Sequence, residues 1–285
     1  MSKNKSMKYQ AQGMLKPMLR LGESRQKAKR KSEDRLHVEG IFSTSTYKNY
    51  VTVADRFGRW AKEKFGEKSL VNCRPYVSEY LKERIAGELS PYTVARDASA
   101  LAKLYGCTKN DFGVELPKRS RSDIKRSHSK VKEFDYEKNK PLLDFISGTG
   151  LRRRELKNLK KSNFFTNKGG LFVRVKGKGG KVRVAEVNPE YRAAVEARLE
   201  GLKENDKVFK KGDIPVRTPC HAYRAAYAKA YYESIARPVE TLAFKEKYIC
   251  RGDKKGTVYD RRALAVVSKL LGHERLSVIV DHYLY

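Results

Sequence analysis

The stretch LLGHERLSVIVDHYLY, residues 270–285, combines a glycine, two histidines and two tyrosines in one short segment. Gly272 follows the periodic apolar residues of DRRALAVVSKLL, and a glycine at this place is typical of a helix C-terminus. His273 comes next, and Tyr283 follows ten residues later in what the pattern predicts to be a short final helix. Such tyrosines can also be aromatic anchors that pack a chain segment, so the rest of the chain has to decide between chemistry and packing.

The chain is strongly basic. Its 285 residues include 63 Lys and Arg against 33 Asp and Glu, which gives a formal net charge of +30. The excess is spread along the whole chain and predicts a polyanionic partner, most simply nucleic acid held through its phosphates. A passively basic protein, such as a ribosomal one, is the alternative. Hydrophobic residues make up 40% of the chain, which is enough for packed cores and two ordinary domains.

Cysteine usage and hydropathy indicate the compartment. No apolar run approaches the roughly 20 residues that span a bilayer, and the amino end has no apolar signal region. We therefore expect a cytoplasmic protein with reduced, structural thiols, no zinc site and no membrane partner. The four cysteines are far apart and form no CxxC pair: Cys73, Cys107, Cys220 and Cys250.

Composition divides the chain into four regions. Residues 1–40 carry an excess of Lys and Arg and predict a basic N-terminal arm. Residues 41–116 contain three helical patterns, which predict a small all-α domain. Residues 117–133, PKRSRSDIKRSHSKVKE, have almost no apolar content and predict a basic linker. Residues 134–285 combine helical patterns with a strand, a turn and a strand, which predicts a mainly α domain with a small β-hairpin (α+β).

Individual elements follow from periodicity. Apolar residues recur at helical spacing over 44–64, and a later helix opens with Ser90 as N-cap and Pro91 at its first position. Val173 and Val175 would face one side of a strand that leads into a GKGG turn. Further helices are predicted from RPYVSEYLKERIAG, EKNKPLLDFISG, TGLRRRELKNLKKS, PEYRAAVEARLEGL, TPCHAYRAAYAKAYYESIA and DRRALAVVSKLLG.

Three motifs of the last region carry residues suited to phosphate chemistry. Arg152 in GTGLRRRE stands where a glycine break meets a helix start, with Glu155 on the same helix face. Lys178 in KGKGGK lies at the tip of the predicted hairpin, where an ammonium can donate a proton to a leaving oxygen. His221 and Arg224 in HAYR are i and i+3 on a predicted helix. Each motif alone also has an ordinary interpretation as basic surface.

In their order, these motifs and the closing stretch resemble the tyrosine recombinase (phage integrase) family. TGLRRRELKNL is similar to the family's first box, KGKGGK to its hairpin, HAYR to its histidine–arginine box and LLGHERLSVIVDHY to its last box. The resemblance covers residues 134–285, the catalytic domain of the family. Residues 41–116 fit the family's core-binding, DNA-binding domain in position and character but carry no specific motif.

The resemblance implies an enzyme, a site-specific recombinase or integrase that cleaves and rejoins DNA through a 3′-phosphotyrosine intermediate, without metal or other cofactor. Tyr283 would be the nucleophile, and Lys178 would protonate the 5′ leaving oxygen. Arg152 and Arg224 would bind the non-bridging oxygens, where negative charge builds up in the transition state.

Three further residues have implied supporting roles. His221 would be the acid–base partner, His273 would hydrogen-bond the phosphate, and Glu155 would orient Arg152. The implied partners are double-stranded DNA attachment sites, a homotetramer assembled on them and accessory DNA-bending proteins, acting in the integration or excision of a mobile element. A bacterial, archaeal or phage protein of this kind would be nucleoid-associated.

The sequence departs from the family pattern near its end. The interval from His273 to Tyr283 is one residue longer than usual. His282 occupies the usual tyrosine position, so Tyr285 is an alternative nucleophile. The stretch after HAYR is also longer than in compact members, and residues 238–260 form a basic insert. Since only two residues follow Tyr283, we expect assembly contacts to come from other parts of the chain or from DNA.

Two other functions remain open. A type IB topoisomerase would use the same nucleophile chemistry to relax supercoils without pairing two sites. A non-catalytic DNA-binding relative would keep the charge and the fold without cleaving DNA, and the shifted tyrosine spacing leaves room for it. Covalent trapping of DNA separates this relative from both enzymes, and a requirement for paired specific sites separates the recombinase from the topoisomerase.

Overall fold

The structure, a computed structural model, describes residues 5–32, 38–120, 131, 133–177 and 180–284. The chain divides into two units, Met1–Ile124 and Lys125–Tyr285. Lys178, Tyr285 and most of the predicted linker at 117–133 lie outside the described residues.

The first unit is built from helices, in agreement with the predicted all-α domain. They are α1 (Met7–Leu15), α2 (Arg25–Lys31), α3 (Thr44–Phe65), α4 (Val77–Ala86) and α5 (Pro91–Leu104). The Ser90 side chain accepts a hydrogen bond from Thr93 N, and Pro91 occupies the first position of α5, as predicted. The buried faces of α1, α3, α4 and α5 share one hydrophobic core.

The N-terminal segment differs from the basic arm expected for residues 1–40. Three apolar residues spaced four apart are buried on one face of α1: Met7, Ala11 and Leu15. The amide of Gln10 fastens the helix further, since it donates to Lys68 O at 2.9 Å and accepts from Leu70 N at 2.8 Å. The many surrounding lysines hid this short apolar stripe, so charge alone was a poor guide to the role of the segment.

The second unit contains six α-helices and five strands among its described residues. The helices begin with α6 (Lys140–Thr149), α7 (Arg153–Leu156), α8 (Arg192–Leu199) and α9 (Cys220–Ile235), and end with α10 (Arg261–Leu271) and α11 (Leu276–His282). The strands are β1 (Phe164–Asn167), β2 (Gly170–Lys176), β3 (Val182–Glu186), β4 (Lys247–Ile249) and β5 (Val258–Asp260). The fold is therefore mainly α with small antiparallel sheets, the predicted class. None of the helices in the described ranges is long and apolar enough to cross a membrane.

The hairpin agrees with the predicted alternation. β2 pairs antiparallel with β3, which places Val173 opposite Ala185 and Val175 opposite Arg183. Both valines are buried, whereas Arg174 between them is exposed. The sequence did not predict β1, which pairs with the other edge of β2. α7 is a single turn, shorter than the helix expected from TGLRRRELKNLKKS.

The basic insert at residues 238–260 forms a ribbon. β4 and β5 pair antiparallel, and the turn between them contains one short 3-10 segment, Gly252–Lys254. Asp260, fully buried at the end of β5, caps α10 by accepting from Arg262 N at 2.8 Å. It also accepts from Arg237 Nε at 2.9 Å, and this hydrogen bond is the main reason why the pKa of Asp260 lies well below its usual value. The ribbon is thus fixed to the start of α10.

Candidate active site

Gly150 sets the distance between α6 and α9 at the centre of the second unit. It ends α6 with a left-handed φ of 60°, and a Cβ at this position would lie 2.5 Å from the ring of Tyr227. Glycine is needed for both the backbone conformation and the close approach. Arg152 lies two residues after Gly150 and stands at the N-terminus of α7.

Arg224 on α9 is almost fully buried, with 1% of its surface exposed. It donates through Nη1 to Gly150 O and through Nη2 to Leu271 O, the latter at 2.6 Å. Its Nε donates to Tyr283 Oη at 3.2 Å. Burial lowers the pKa of Arg224 to about 10, which still leaves the guanidinium charged at neutral pH. One buried cation therefore joins the ends of α6 and α10 to the tyrosine.

The Tyr283 side chain is buried, and its hydroxyl faces two of the candidate residues. Tyr283 Oη lies 3.2 Å from Arg224 Nε and 3.1 Å from His273 Nε2. The extra residue after His273 is accommodated because α11 ends at His282, and the backbone leaves helical geometry at Tyr283 with a φ of −130°. This break in the helix lets Tyr283 point into the cluster although it comes one position later than the resemblance led us to expect.

His273 is held as a neutral imidazole. Burial, followed by the charges of Arg224 and Arg152, lowers the pKa of His273 to about 4. Arg152 Nη2 lies 3.3 Å from His273 Nε2 and can only donate, which favours an unprotonated Nε2 and a proton on Nδ1. The lone pair of Nε2 then faces two donors, Arg152 Nη2 at 3.3 Å and Tyr283 Oη at 3.1 Å.

Glu155 links two arginines. Its carboxylate accepts from Arg152 N at 2.8 Å and from Arg152 Nη1 at 2.9 Å. Arg183 donates two hydrogen bonds to the same carboxylate, at 2.7 and 2.8 Å. Burial acts to raise the pKa of Glu155, but the hydrogen bonds and charge of Arg183 and the backbone N–H of Arg152 lower it to about 2. Glu155 is therefore an anion in contact with Arg152, as the implied orienting role would require.

Arg183 was missed by the sequence analysis. Its Nε donates to Leu270 O at 2.8 Å, so it connects the Glu155 carboxylate to the end of α10. Gly272 leaves room for it, since a Cβ there would lie 2.9 Å from Arg183 Cδ. One signal was present in the sequence. Arg183 stands opposite Val175 on the inward face of the hairpin, where a charged side chain needs a buried partner.

Two of the candidate residues lie on the solvent side of the cluster. The Arg152 side chain is 31% exposed, and His221 is exposed at the start of α9. The His221 ring centroid lies 5.4 Å from that of Tyr283. Since Arg224 and Tyr283 are buried behind them, a ligand would enter past Arg152 and His221.

The described stem of the hairpin reaches this cluster, and Lys178, which was predicted to lie at the tip, is outside the described residues. Gly177 N donates to Lys181 O at 2.8 Å and closes the stem. A side chain at Gly177 would begin 3.2 Å from Glu155 Oε1, so Gly177 itself lies directly beside the carboxylate. Tyr285, the alternative nucleophile, also lies outside the described residues.

The side chains of the cluster have the chemistry that suits an anionic ligand such as a phosphate diester. It offers two guanidinium groups, a neutral imidazole and a phenol, which supply hydrogen-bond donors and a proton acceptor around one point. Within the described part of the chain, no group of three or more His, Cys, Asp or Glu side chains is arranged to hold a metal ion.

Comparisons with known proteins identify the fold. No protein family model matches the sequence, and no curated protein matches it. The structure is similar to that of the XerH site-specific recombinase in a post-cleavage complex with palindromic difH substrate, with a TM-score of 0.52 and 16% sequence identity over 98% of this chain and 90% of that chain. The Tn1549 transposon integrase, solved with transposon right end DNA, is similar with a TM-score of 0.49 and 13% identity over 96% and 94% of the chains. The likeness to XerH shows that the chain has the fold of a site-specific recombinase, the fold that the sequence resemblance implied.

Proposed function

We propose that the protein is a site-specific DNA recombinase that uses Tyr283 as its nucleophile. The observation that carries the proposal is the placement of Tyr283 Oη within hydrogen-bonding distance of both Arg224 Nε and His273 Nε2. A buried tyrosine packed for stability needs one partner for its hydroxyl. Here the hydroxyl faces a buried cation and a neutral imidazole, with Arg152 on the solvent side.

The proposed reaction is a transesterification at a DNA phosphodiester. A bond forms between Tyr283 Oη and phosphorus, and the bond between phosphorus and O5′ breaks. The tyrosine proton passes to His221, whose ring centroid lies 5.4 Å from that of Tyr283, and Lys178 donates a proton to the 5′ oxygen. The phosphodiester energy is conserved in the 3′-phosphotyrosine, so the 5′-hydroxyl of a second strand can reverse the step without an external energy source.

Arg152 and Arg224 stabilise the transition state in this proposal. Their guanidinium groups are fixed before the substrate arrives by Glu155 and by the carbonyl groups at the ends of α6 and α10. Fixed cations stabilise developing charge without reorganisation, which is the efficient arrangement. His221, on the solvent side of the cluster, is the acid–base partner for the proton of the Tyr283 hydroxyl.

The proposed substrate is a pair of double-stranded DNA attachment sites, bound by a homotetramer with accessory DNA-bending proteins. The net charge of +30 supports an affinity dominated by phosphate contacts. XerH, whose fold the chain shares, was solved with its own DNA substrate. We infer integration or excision of a mobile element as the process.

Covalent trapping tests the proposal. Duplexes from the DNA that flanks the gene, nicked near the presumed site so that cleavage is not reversed, are incubated with protein in EDTA and run on a denaturing gel. We expect a protein–DNA adduct with the wild type, no adduct with Tyr283→Phe, and a normal adduct with the control variant Tyr285→Phe.

Each other outcome changes the conclusion. Loss of the adduct with Tyr285→Phe alone would move the nucleophile by two positions. Tight binding to the same duplexes without any adduct would favour the non-catalytic DNA-binding relative. An adduct formed equally on unrelated duplexes, together with relaxation of supercoiled plasmid, would favour a type IB topoisomerase.

A further inference from the structure

α11, the helix that leads into Tyr283, is only seven residues long. An isolated helix of this length is unstable in water, so its position depends on contacts with the rest of the unit. Ile279 and Val280 are buried against the apolar core that also holds Tyr283. These contacts fix one face of the helix, but the backbone that follows it needs a further partner.

The end of α11 leaves a carbonyl group that neither Tyr283 N nor Leu284 N, the described backbone donors after the helix, satisfies. The N–H groups of Tyr283 and Leu284 both donate to Ile279 O, at 2.9 and 3.1 Å. In a continuing helix, Leu284 N would instead donate to Val280 O. The acceptor at Val280 is therefore open to a side chain.

Lys254 supplies this donor from the insert. Its Nζ donates to Val280 O at 2.8 Å and to Leu284 O at 2.6 Å. The two carbonyl groups lie on either side of Tyr283 in the chain, so one ammonium binds the backbone both before and after the tyrosine. The charge is also favourable at this end of a helix, where the carbonyl dipoles point outward.

The ribbon that carries Lys254 is itself fixed. Lys254 lies in the turn between β4 and β5, and β5 ends at Asp260, which caps α10 and binds Arg237. The opposite end of α10 leads through Gly272 to His273. His273, which contacts the Tyr283 hydroxyl, therefore follows one end of α10. The ribbon that carries Lys254, which binds the backbone around Tyr283, is attached to the other end.

We propose that Lys254 is a positioning residue for Tyr283. It holds the end of α11 so that the tyrosine hydroxyl stays beside Arg224 and His273 of the same chain, and the insert at residues 238–260 serves to carry this lysine. The proposal rests on the proposed function, because it takes Tyr283 as the nucleophile. It assigns the insert a role within its own subunit.

Hydrogen exchange tests whether Lys254 holds the end of α11, and this measurement does not need activity. We expect backbone amides in residues 276–285 to exchange about tenfold or more faster in Lys254→Met than in the wild type, because a hydrogen bond to a charged donor is lost. Lys254→Arg should restore much of the protection. Lys255→Met, which removes an exposed charge next in the chain, is the matched control and should leave exchange in this segment unchanged.

Single-turnover cleavage of the nicked duplex tests whether Lys254 positions Tyr283 for the reaction. We expect Lys254→Met to cleave about tenfold more slowly with unchanged DNA affinity, and Lys254→Arg to recover most of the rate. Unchanged exchange in Lys254→Met, or faster exchange with an unchanged cleavage rate, would overturn the proposal. A wild type that forms no adduct would instead overturn the proposed function, and the exchange result would still decide whether Lys254 holds α11.

Discussion

At the scale of single residues, the surroundings of His273 decide what its imidazole can do. A histidine in water is partly charged near neutral pH. Here burial and two neighbouring arginines remove that charge, and the pKa of about 4 leaves a neutral ring beside Tyr283. A charged imidazole would have no lone pair on Nε2, whereas the neutral ring can accept a hydrogen bond from Tyr283 Oη.

The same pKa predicts a pH dependence of stability. In the unfolded chain His273 titrates near 6.5, whereas in the folded protein its pKa is about 4. The unfolded state therefore binds the proton first, and the free energy of unfolding should fall as the pH drops from 6.5 to 4 and receive no further change from this group below 4. Urea denaturation across this range should show a smaller fall for His273→Gln than for the wild type. An NMR titration of the folded protein that places the pKa of His273 near 6.5 would contradict this expectation.

At the scale of elements, most helices and the β2–β3 hairpin could be predicted because their apolar periods are local. β1 could not, since FFTN is too short to show a period of two, and α1 was hidden by the charge around it. The position of α7 was predicted but its length was not. The helical pattern of TGLRRRELKNLKKS does not show at which residue α7 ends and the chain turns towards the hairpin.

Gly150 offers a test of how closely the elements must approach. Gly150→Ala places a Cβ 2.5 Å from the Tyr227 ring at a φ of 60°. Strain and overpacking together should lower the free energy of unfolding by about 2–4 kcal/mol. Adduct formation should also fall, since Gly150 O is a partner of Arg224. Urea denaturation measures the free energy of unfolding, and the trapping gel measures adduct formation.

Gly201→Ala is the matched control for this substitution. Gly201 has a φ of 70°, but nothing lies within 4 Å of a Cβ built there. It should therefore cost only the backbone strain, about 1 kcal/mol, and leave adduct formation normal. Equal effects of the two variants would show that the approach of α9 to α6 does not matter.

At the scale of the whole molecule, the charge of +30 predicts how binding responds to salt. If six to ten phosphates are contacted, DNA affinity should fall by about 10³–10⁵ between 50 and 200 mM salt. Fluorescence anisotropy with a labelled duplex measures this slope. The control duplex of unrelated sequence should show a similar slope at lower affinity, because phosphate contacts carry no sequence information. An affinity independent of salt would contradict a phosphate-dominated interface.

The sequence by itself determined the fold class, most of the helices, the hairpin and the set of candidate residues. Periodicity is a property of neighbouring positions, and the order of motifs is read along the chain, so both can be recognised without knowing what each segment packs against. Arg152, Arg224, His273 and Tyr283 were implied by the resemblance to the tyrosine recombinase family, and the structure brings all four together.

Only the tertiary structure decided how these residues are held. Arg183 meets Leu270 across 87 positions of the chain, and Lys254 meets Val280 across 26. The break of α11 before Tyr283 depends equally on what surrounds that helix. Such contacts join segments whose local patterns are independent of each other, so no short stretch of sequence specifies the partner of a buried or clamping side chain.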